Sequence, residues 1–261
     1  MSSSLDAIEE GTQITYGRPM IGSLVGLACQ AIGRKAAWPL VNHLNMEQSL
    51  AATRRMEKIE AKQEAFSQMT QEDAWFNQGA MLEVQCSPKA MAPGFMKRIA
   101  YEHLTQYDDA EIANARRPYA ALLPAPQEPG DLLCILYLTP FTTVRVRETD
   151  NRAQNALLET TLALHTYQLE HGFFPATLGS LVPRYLPSFP ADPFALSGPL
   201  RYKVQGKTYL LYSVGPDGKD DGGRPIFDAT KPAPTASNRA DSRRYVYDTS
   251  KGDIVAGVNM K

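Results

Sequence analysis

The stretch richest in chemistry is Leu210-Leu211-Tyr212-Ser213-Val214-Gly215-Pro216-Asp217-Gly218-Lys219-Asp220-Asp221-Gly222-Gly223. It is a short apolar strand running into a loop with three carboxylates, four glycines and a proline. Glycine supplies the left-handed backbone angles of a sharp turn, and aspartate tolerates them while offering oxygen ligands. Carboxylates so close together repel unless water or a cation neutralises them, and an all-oxygen donor set suits calcium. The competing reading is a hydrated Asp/Gly turn whose side chains bond the main chain. An EF-hand does not fit. With Asp217 at position 1, Lys219 falls at position 3 and Asp228, not glutamate, at position 12.

Other chemistry leaves little trace. His43, His103, His165 and His171 are scattered, and His165 and His171 fall on different faces of a helix, so they read as surface or interhelical hydrogen-bonders. There is no G-x-S-x-G, H-E-x-x-H, Walker loop or G-x-G-x-x-G. Cys29, Cys86 and Cys134 form no C-x-x-C pair and are odd in number, which predicts at least one free buried thiol. The methionines Met46, Met56, Met69, Met81, Met91 and Met96 are spaced for core filling rather than for a copper site. Asp108-Asp109 reads as a helix cap.

The elements that position the loop follow from periodicity. Leu5 to Gly17 is weakly patterned, a short helix or coil. From Pro19 the chain is helical, with Ile21, Leu24, Val25, Ala28 and Ile32 as the apolar face and Gly22, Gly26, Ala28 and Gly33 as a surface for close helix packing. Pro39 divides it from a second helix predicted over Met46–Met69, whose charges read as a solvated face. Helix continues through Trp75-Phe76 to Cys86, is broken by Pro88, Pro93 and Gly94, and resumes at Met96–Tyr107 and Ala110–Arg116. The proline-rich segment Pro118–Gly130 is a linker, which divides the chain into a helical domain of residues 1–130 and a second unit of residues 131–261.

Leu132–Leu138 is a strand or a lead-in to the next helix. Thr139-Pro140 is a good helix start, and Val144, Ala153, Ala156, Leu157, Thr160, Thr161, Leu164 and Tyr167 hold one face until Gly172. That predicts one helix of about 32 residues, about 48 Å long. A short helix near Leu178–Val182, a hairpin of Leu200–Val204 and Thr208–Tyr212, an extended excursion over Pro225–Ser242 and a strand pair of Tyr245–Tyr247 with Asp253–Val255 complete the reading. The fold class is α+β: an all-helical N-terminal region, a long helix and a small antiparallel sheet.

The net charge of −1 and pI near 6.4 argue against nucleic-acid binding. The longest apolar run, Met20–Gly33, already contains Gln30 and falls short of the roughly 20 residues a span requires. No direct membrane insertion is expected, and an anchor would lie upstream.

The ordered series Leu162-Ala163-Leu164, Tyr167, Gly172-Phe173-Phe174-Pro175, Leu178, Leu181, then Asp192-Pro193-Phe194, Pro199-Leu200, Tyr202, then Tyr212-Ser213-Val214-Gly215 and Asp217-Gly218 resembles the globular part of the major pseudopilins of type II secretion. The likeness covers about Thr139 to Val255. It implies a small sheet packed on a long helix and a calcium site drawing on Ser213, Asp217, the Leu211 carbonyl and Asp253, with Asp220 and Asp221 as additional candidates. It also implies an extracytoplasmic setting. The chain departs from the family where the helix begins. Arg145, Arg147, Glu148, Asp150, Asn151 and Arg152 replace the apolar polymerising segment, and no prepilin cleavage site is present, so filament formation is not implied. The whole chain resembles bacterial proteins that carry this module after a helical domain, often anchored upstream.

Three function classes follow. The first is a non-catalytic extracytoplasmic structural or assembly protein, with protein partners or self-association and a calcium-stabilised C-terminal loop. The second is a module binding a ligand or peptide in an apolar groove of the helical domain, which a pocket lined by Trp38, Trp75 or Phe76 would favour. The third is an enzyme with an unrecognised site, which convergent polar residues with perturbed ionisation in a cleft would favour.

Overall fold

The computed structural model describes residues 1–86, 93–139, 141–231 and 242–259. The chain runs through α1 (Ser2–Thr15), α2 (Met20–Ala37), α3 (Met46–Glu60), α4 (Phe66–Cys86), α5 (Gly94–Ala115), the one-turn α6 (Leu132–Ile135) and α7 (Phe141–His171). Then come β1 (Arg201–Gln205), β2 (Thr208–Ser213) and β3 (Ile254–Val255), an antiparallel sheet in the order β1-β2-β3. This is the expected α+β arrangement of helical region, long helix and small sheet. No helix among the described residues is long and apolar enough to cross a membrane.

α7 is the axis of the molecule. Every residue from Ala153 to Thr166 is buried, because the helix is covered all round rather than along one stripe. Leu157 and Leu164 pack with Leu181, Phe194, Leu211 and Ile254 beneath the sheet. Leu158 and Leu162 pack with Leu5, Ile8, Met56 and Ile59 of the N-terminal helices. Nearer its start, Phe141 and Val144 join Met20, Phe66, Met69 and Tyr107. The expected single apolar face is therefore too narrow, and the polar residues between the apolar ones are buried as well. The helix ends at Gly172, where φ of +81° lets the chain leave in a left-handed turn.

α1 is a full helix that packs on the Gly26 and Gly33 surface expected for close helix packing, and of the apolar face expected for α2 only Leu24 is half-buried. Ile21, Val25 and Ile32 are 78%, 50% and 68% exposed, and Ala28 is exposed too. The opposite face is the buried one, because only glycine allows the two backbones to meet. A Cβ on Gly26 would lie 2.5 Å from the Gly11 carbonyl oxygen, and one on Gly33 would lie 2.6 Å from that of Ser4. That choice of face carries Ser23, Gln30 and Arg34 inward, where Arg34 donates to Asn151 Oδ1 (2.6 Å) and Asn155 Oδ1 (2.8 Å) and Asn151 donates to Gln30 (2.8 Å).

Three more expectations need correction. The helix predicted over Met46–Met69 breaks between Glu60 and Phe66, where the Glu64 carbonyl accepts from Arg152 (2.6 Å) and Gln63 donates to Gln30 (2.7 Å). Helix α5 is one piece, so Asp108 is not a cap. It is 2% exposed, accepts from Gln78 (2.9 Å), and burial raises its pKa to about 6. Tyr245–Tyr247 is not a strand; Val246 drops into the core, and β3 pairs with β2 instead. Pro88, Met91, Pro140 and most of Pro225–Ser242 lie outside the described residues. The proline-rich connector is docked through Tyr119, whose ring meets Phe194 edge-on at 4.8 Å.

The smaller readings find their places. Cys134 is a free, buried thiol that donates to the Ala100 carbonyl, and Met56, Met69 and Met81 fill cores. Met46 and Met96 are exposed. Leu178–Leu181 is a 3-10 turn, and the hairpin turns at Gly206 with φ +63°.

Candidate functional site

β2 delivers Ser213 to the end of the sheet, and the chain turns at Gly215 (φ +72°), where a Cβ would lie 2.4 Å from the Gly252 carbonyl oxygen. This close approach binds the Asp/Gly loop to the segment that carries Asp253. Asp253 is fully buried and accepts from the Gly223 amide (2.6 Å) and the Asp221 amide (3.3 Å). Burial raises its pKa, and those two amide bonds oppose the shift. Asp220 accepts from the Gly222 amide (3.0 Å) and the Tyr212 hydroxyl (2.9 Å), with Arg201 at 3.4 Å. Those bonds, the Gly222 amide first, hold Asp220 below the usual carboxylate range, while burial and then Asp220 push Tyr212 up to about 12. Asp217 closes its own turn by accepting from the Lys219 amide (3.2 Å).

The remaining proposed ligands are engaged too. The Leu211 carbonyl accepts from Ala256 (3.0 Å) in the strand ladder, and the Ser213 hydroxyl donates to Asp192 (2.6 Å). Asp221 is exposed and contributes its amide, not its carboxylate, to Asp253. Ser213, at the end of β2, thus lies beside Asp253, which immediately precedes β3, and Asp221 reaches Asp253 through its amide. Among the described residues no three acidic, histidine or cysteine side chains are grouped to hold a metal ion. As placed, the carboxylates of Asp217, Asp220 and Asp253 knit the loop through bonds to its amides.

Sequence reasoning missed Asp192. It is 3% exposed and gathers the Ser213 hydroxyl, the Val214 amide (3.0 Å) and the Phe194 amide (3.1 Å), so it pins the proline-rich loop to the end of β2. Its signal was the Asp192-Pro193-Phe194 motif, which marks a turn but does not reveal that a distant strand end supplies the hydrogen bonds.

Of the aromatic residues named for an apolar groove, Trp38 lies half-buried between two cores, whereas Trp75 and Phe76 stand 60% and 56% exposed. The histidines serve structure: His165 meets the Leu44 carbonyl (3.1 Å) and His171 meets the Tyr185 hydroxyl (3.2 Å). No protein-family model matches the chain, and no curated protein or solved structure matches it.

The loop geometry sets a test for calcium. A loop held by its own amides gains nothing ion-specific, so thermal unfolding in calcium, in magnesium and in chelator is expected to give one melting temperature at matched ionic strength. Asp253→Ala, which strands the amides of Gly223 and Asp221, is expected to cost about 1–3 kcal/mol in all three. A rise specific to calcium, lost in Asp217→Ala, would restore the cation as a ligand of Ser213, Asp217 and Asp253.

Proposed function

We propose that this chain is a non-catalytic structural or assembly protein that self-associates through the outward face of α2. The observation that carries this reading is the stripe Ile21, Val25, Ala28 and Ile32. Its 4-3-4 spacing keeps all four side chains on one side of the helix, three of them large, β-branched and at least half exposed. Contiguous exposed apolar surface marks interaction sites in soluble proteins. A 3.5-residue repeat is, moreover, the spacing that lets two helices pair along a common seam. Arg18 and Lys35 bound the stripe at either end, which suits a short seam with solvated margins. The extracytoplasmic setting rests on the pseudopilin likeness of residues 139–255 alone.

Sedimentation velocity of the full chain is the test. The wild type is expected to shift from monomer to dimer as its concentration rises, and Val25→Lys combined with Ile32→Lys is expected to hold it monomeric with unchanged helicity. A wild type that stays monomeric throughout overturns self-association. A second reading, ligand binding, is favoured by a cleft between α3, α7 and the loop of residues 187–193.

A further inference from the structure

Between α3, α7 and the loop of residues 187–193 lies a cleft of about 560 Å³. Glu57 and Glu60, one turn apart on α3, line one side, and Glu159 and Arg152 of α7 line the floor. The opposite wall is apolar: Pro187, Phe189 and Pro190 stand on a loop whose prolines stiffen it and which Asp192 pins beneath the sheet.

The charges in this cleft are unbalanced. Arg152 is occupied. It pairs with Glu148, donates to the Glu64 carbonyl and reaches Glu60 at 3.5 Å. Glu60 is further met by Asn155 (3.3 Å). Glu159 has no such answer. It is 7% exposed, lines the cleft, and makes no hydrogen bond or ion pair among the described residues. The charged groups facing it are Glu57 and Glu60 from α3 and Arg152 from its own helix, and the loop adds none, since its Asp192 is turned onto Ser213. A carboxylate buried without a partner is costly unless it keeps its proton or meets a cation. Burial, then Glu60 and Glu57, raise the Glu159 carboxyl to about 8.

We infer that this cleft binds a primary ammonium on an aliphatic chain, the chemistry shared by a free diamine and a lysine side chain. The Glu159 carboxylate would hold the ammonium, with Glu60 and Glu57 adding negative charge beside it, and the methylenes would lie along Pro187, Phe189 and Pro190. A metal ion suits the cleft less, because no three acidic side chains among the described residues close to coordination distance. Catalysis suits it less too. An acid–base pair needs ionisations pushed apart, whereas Glu57, Glu60 and Glu159 are all raised, chiefly by burial. Arrival of the cation drives the Glu159 proton into solvent, so affinity should climb with pH while the amine stays charged.

The test is calorimetry of the full chain with 1,5-diaminopentane and, separately, with N-acetyl-lysine methylamide. Saturable one-to-one binding of either amine is expected. It should strengthen toward about tenfold per pH unit between pH 6 and 8 and release a proton detectable as a dependence on buffer ionisation heat. Glu159→Gln should weaken binding about tenfold and abolish the proton release, and Glu47→Gln, on the exposed first turn of α3, should change neither. Binding of the diamine alone identifies a free diamine as the source, and binding of the lysine derivative alone identifies a peptide side chain. Should Glu159→Gln unfold, proton release by the wild type still decides. No saturable binding of either amine to folded wild type, or equal affinity in a folded Glu159→Gln, overturns the proposal. Neither result depends on the oligomeric state of α2.

Discussion

Replacing Leu164 with alanine is expected to lower the unfolding free energy by about 2–5 kcal/mol, and Leu158→Ala is expected to do the same in a different core. Both leucines are fully buried, and they are six residues apart on α7. Leu164 fills the core under the sheet, and Leu158 fills the core shared with α1 and α3. Deleting either side chain removes apolar area from the interior and leaves a cavity that a helix held on every side cannot relax to fill. The informative readout is whether one transition or two is seen. Because α7 supplies side chains to both cores without an intervening loop, each variant should move a single cooperative transition of the whole chain, followed by near-ultraviolet dichroism and by tryptophan fluorescence from Trp38 and Trp75. Separate transitions, with Leu164→Ala moving one and Leu158→Ala the other, would show that the helical region and the sheet module fold independently.

The same helix explains how far the sequence could be read. The existence of α7, its end at Gly172, the hairpin around Gly206 and the mainly helical character of residues 20–86 are legible, because each leaves a local signature: unbroken periodicity, a glycine in the left-handed region, two short β-rich runs. The inward face of each helix was harder to read. In α2, the strongest apolar pattern pointed to Ile21, Val25 and Ile32, yet glycines 26 and 33 decide the contact, because backbone approach on that side outweighs the side chains left outside. In α7, Glu148, Asp150, Asn151 and Gln154 look like a solvated face, yet all four are buried, Asn151 against Gln30 and Arg34 of α2 and Gln154 against the Asn259 carbonyl. The Asp/Gly loop stands at the end of β2 as expected, but Asp217 and Asp220 turn to amides of their own loop, and Asp192, which gathers Ser213 and Val214, lies some twenty residues upstream. Glu159 gave no signal. A glutamate in a helix reads as solvated, and only the placement of α3 and the proline loop closes the cleft around it.

The buried polar seam between α2 and α7 makes the last prediction. Arg34 is 6% exposed, donates through one guanidinium nitrogen to both Asn151 and Asn155, and stands against the negative charges of Asp150 and Glu60. Burial pulls its pKa down to about 10, and those two acids resist the fall, so the charge is retained at neutral pH. Arg34→Met keeps much of the volume but leaves the Asn151 and Asn155 carbonyls without the donor they share and removes the positive charge facing Asp150 and Glu60. Breaking one side of a buried charge network costs about 3–5 kcal/mol, most of it the penalty on the groups left behind. Arg34→Lys should fall between, since an ammonium keeps the charge and can donate to two acceptors but sits on a shorter side chain. Lys35, next along the helix and exposed, is the internal control: Lys35→Met should change stability by less than about 0.5 kcal/mol. Urea unfolding separates these cases, provided the slope is unchanged so that the midpoint reports stability alone. If Arg34→Met and Lys35→Met unfold at the same midpoint, the seam does not hold α2 to α7, and the glycine contacts with α1 must fix that helix by themselves.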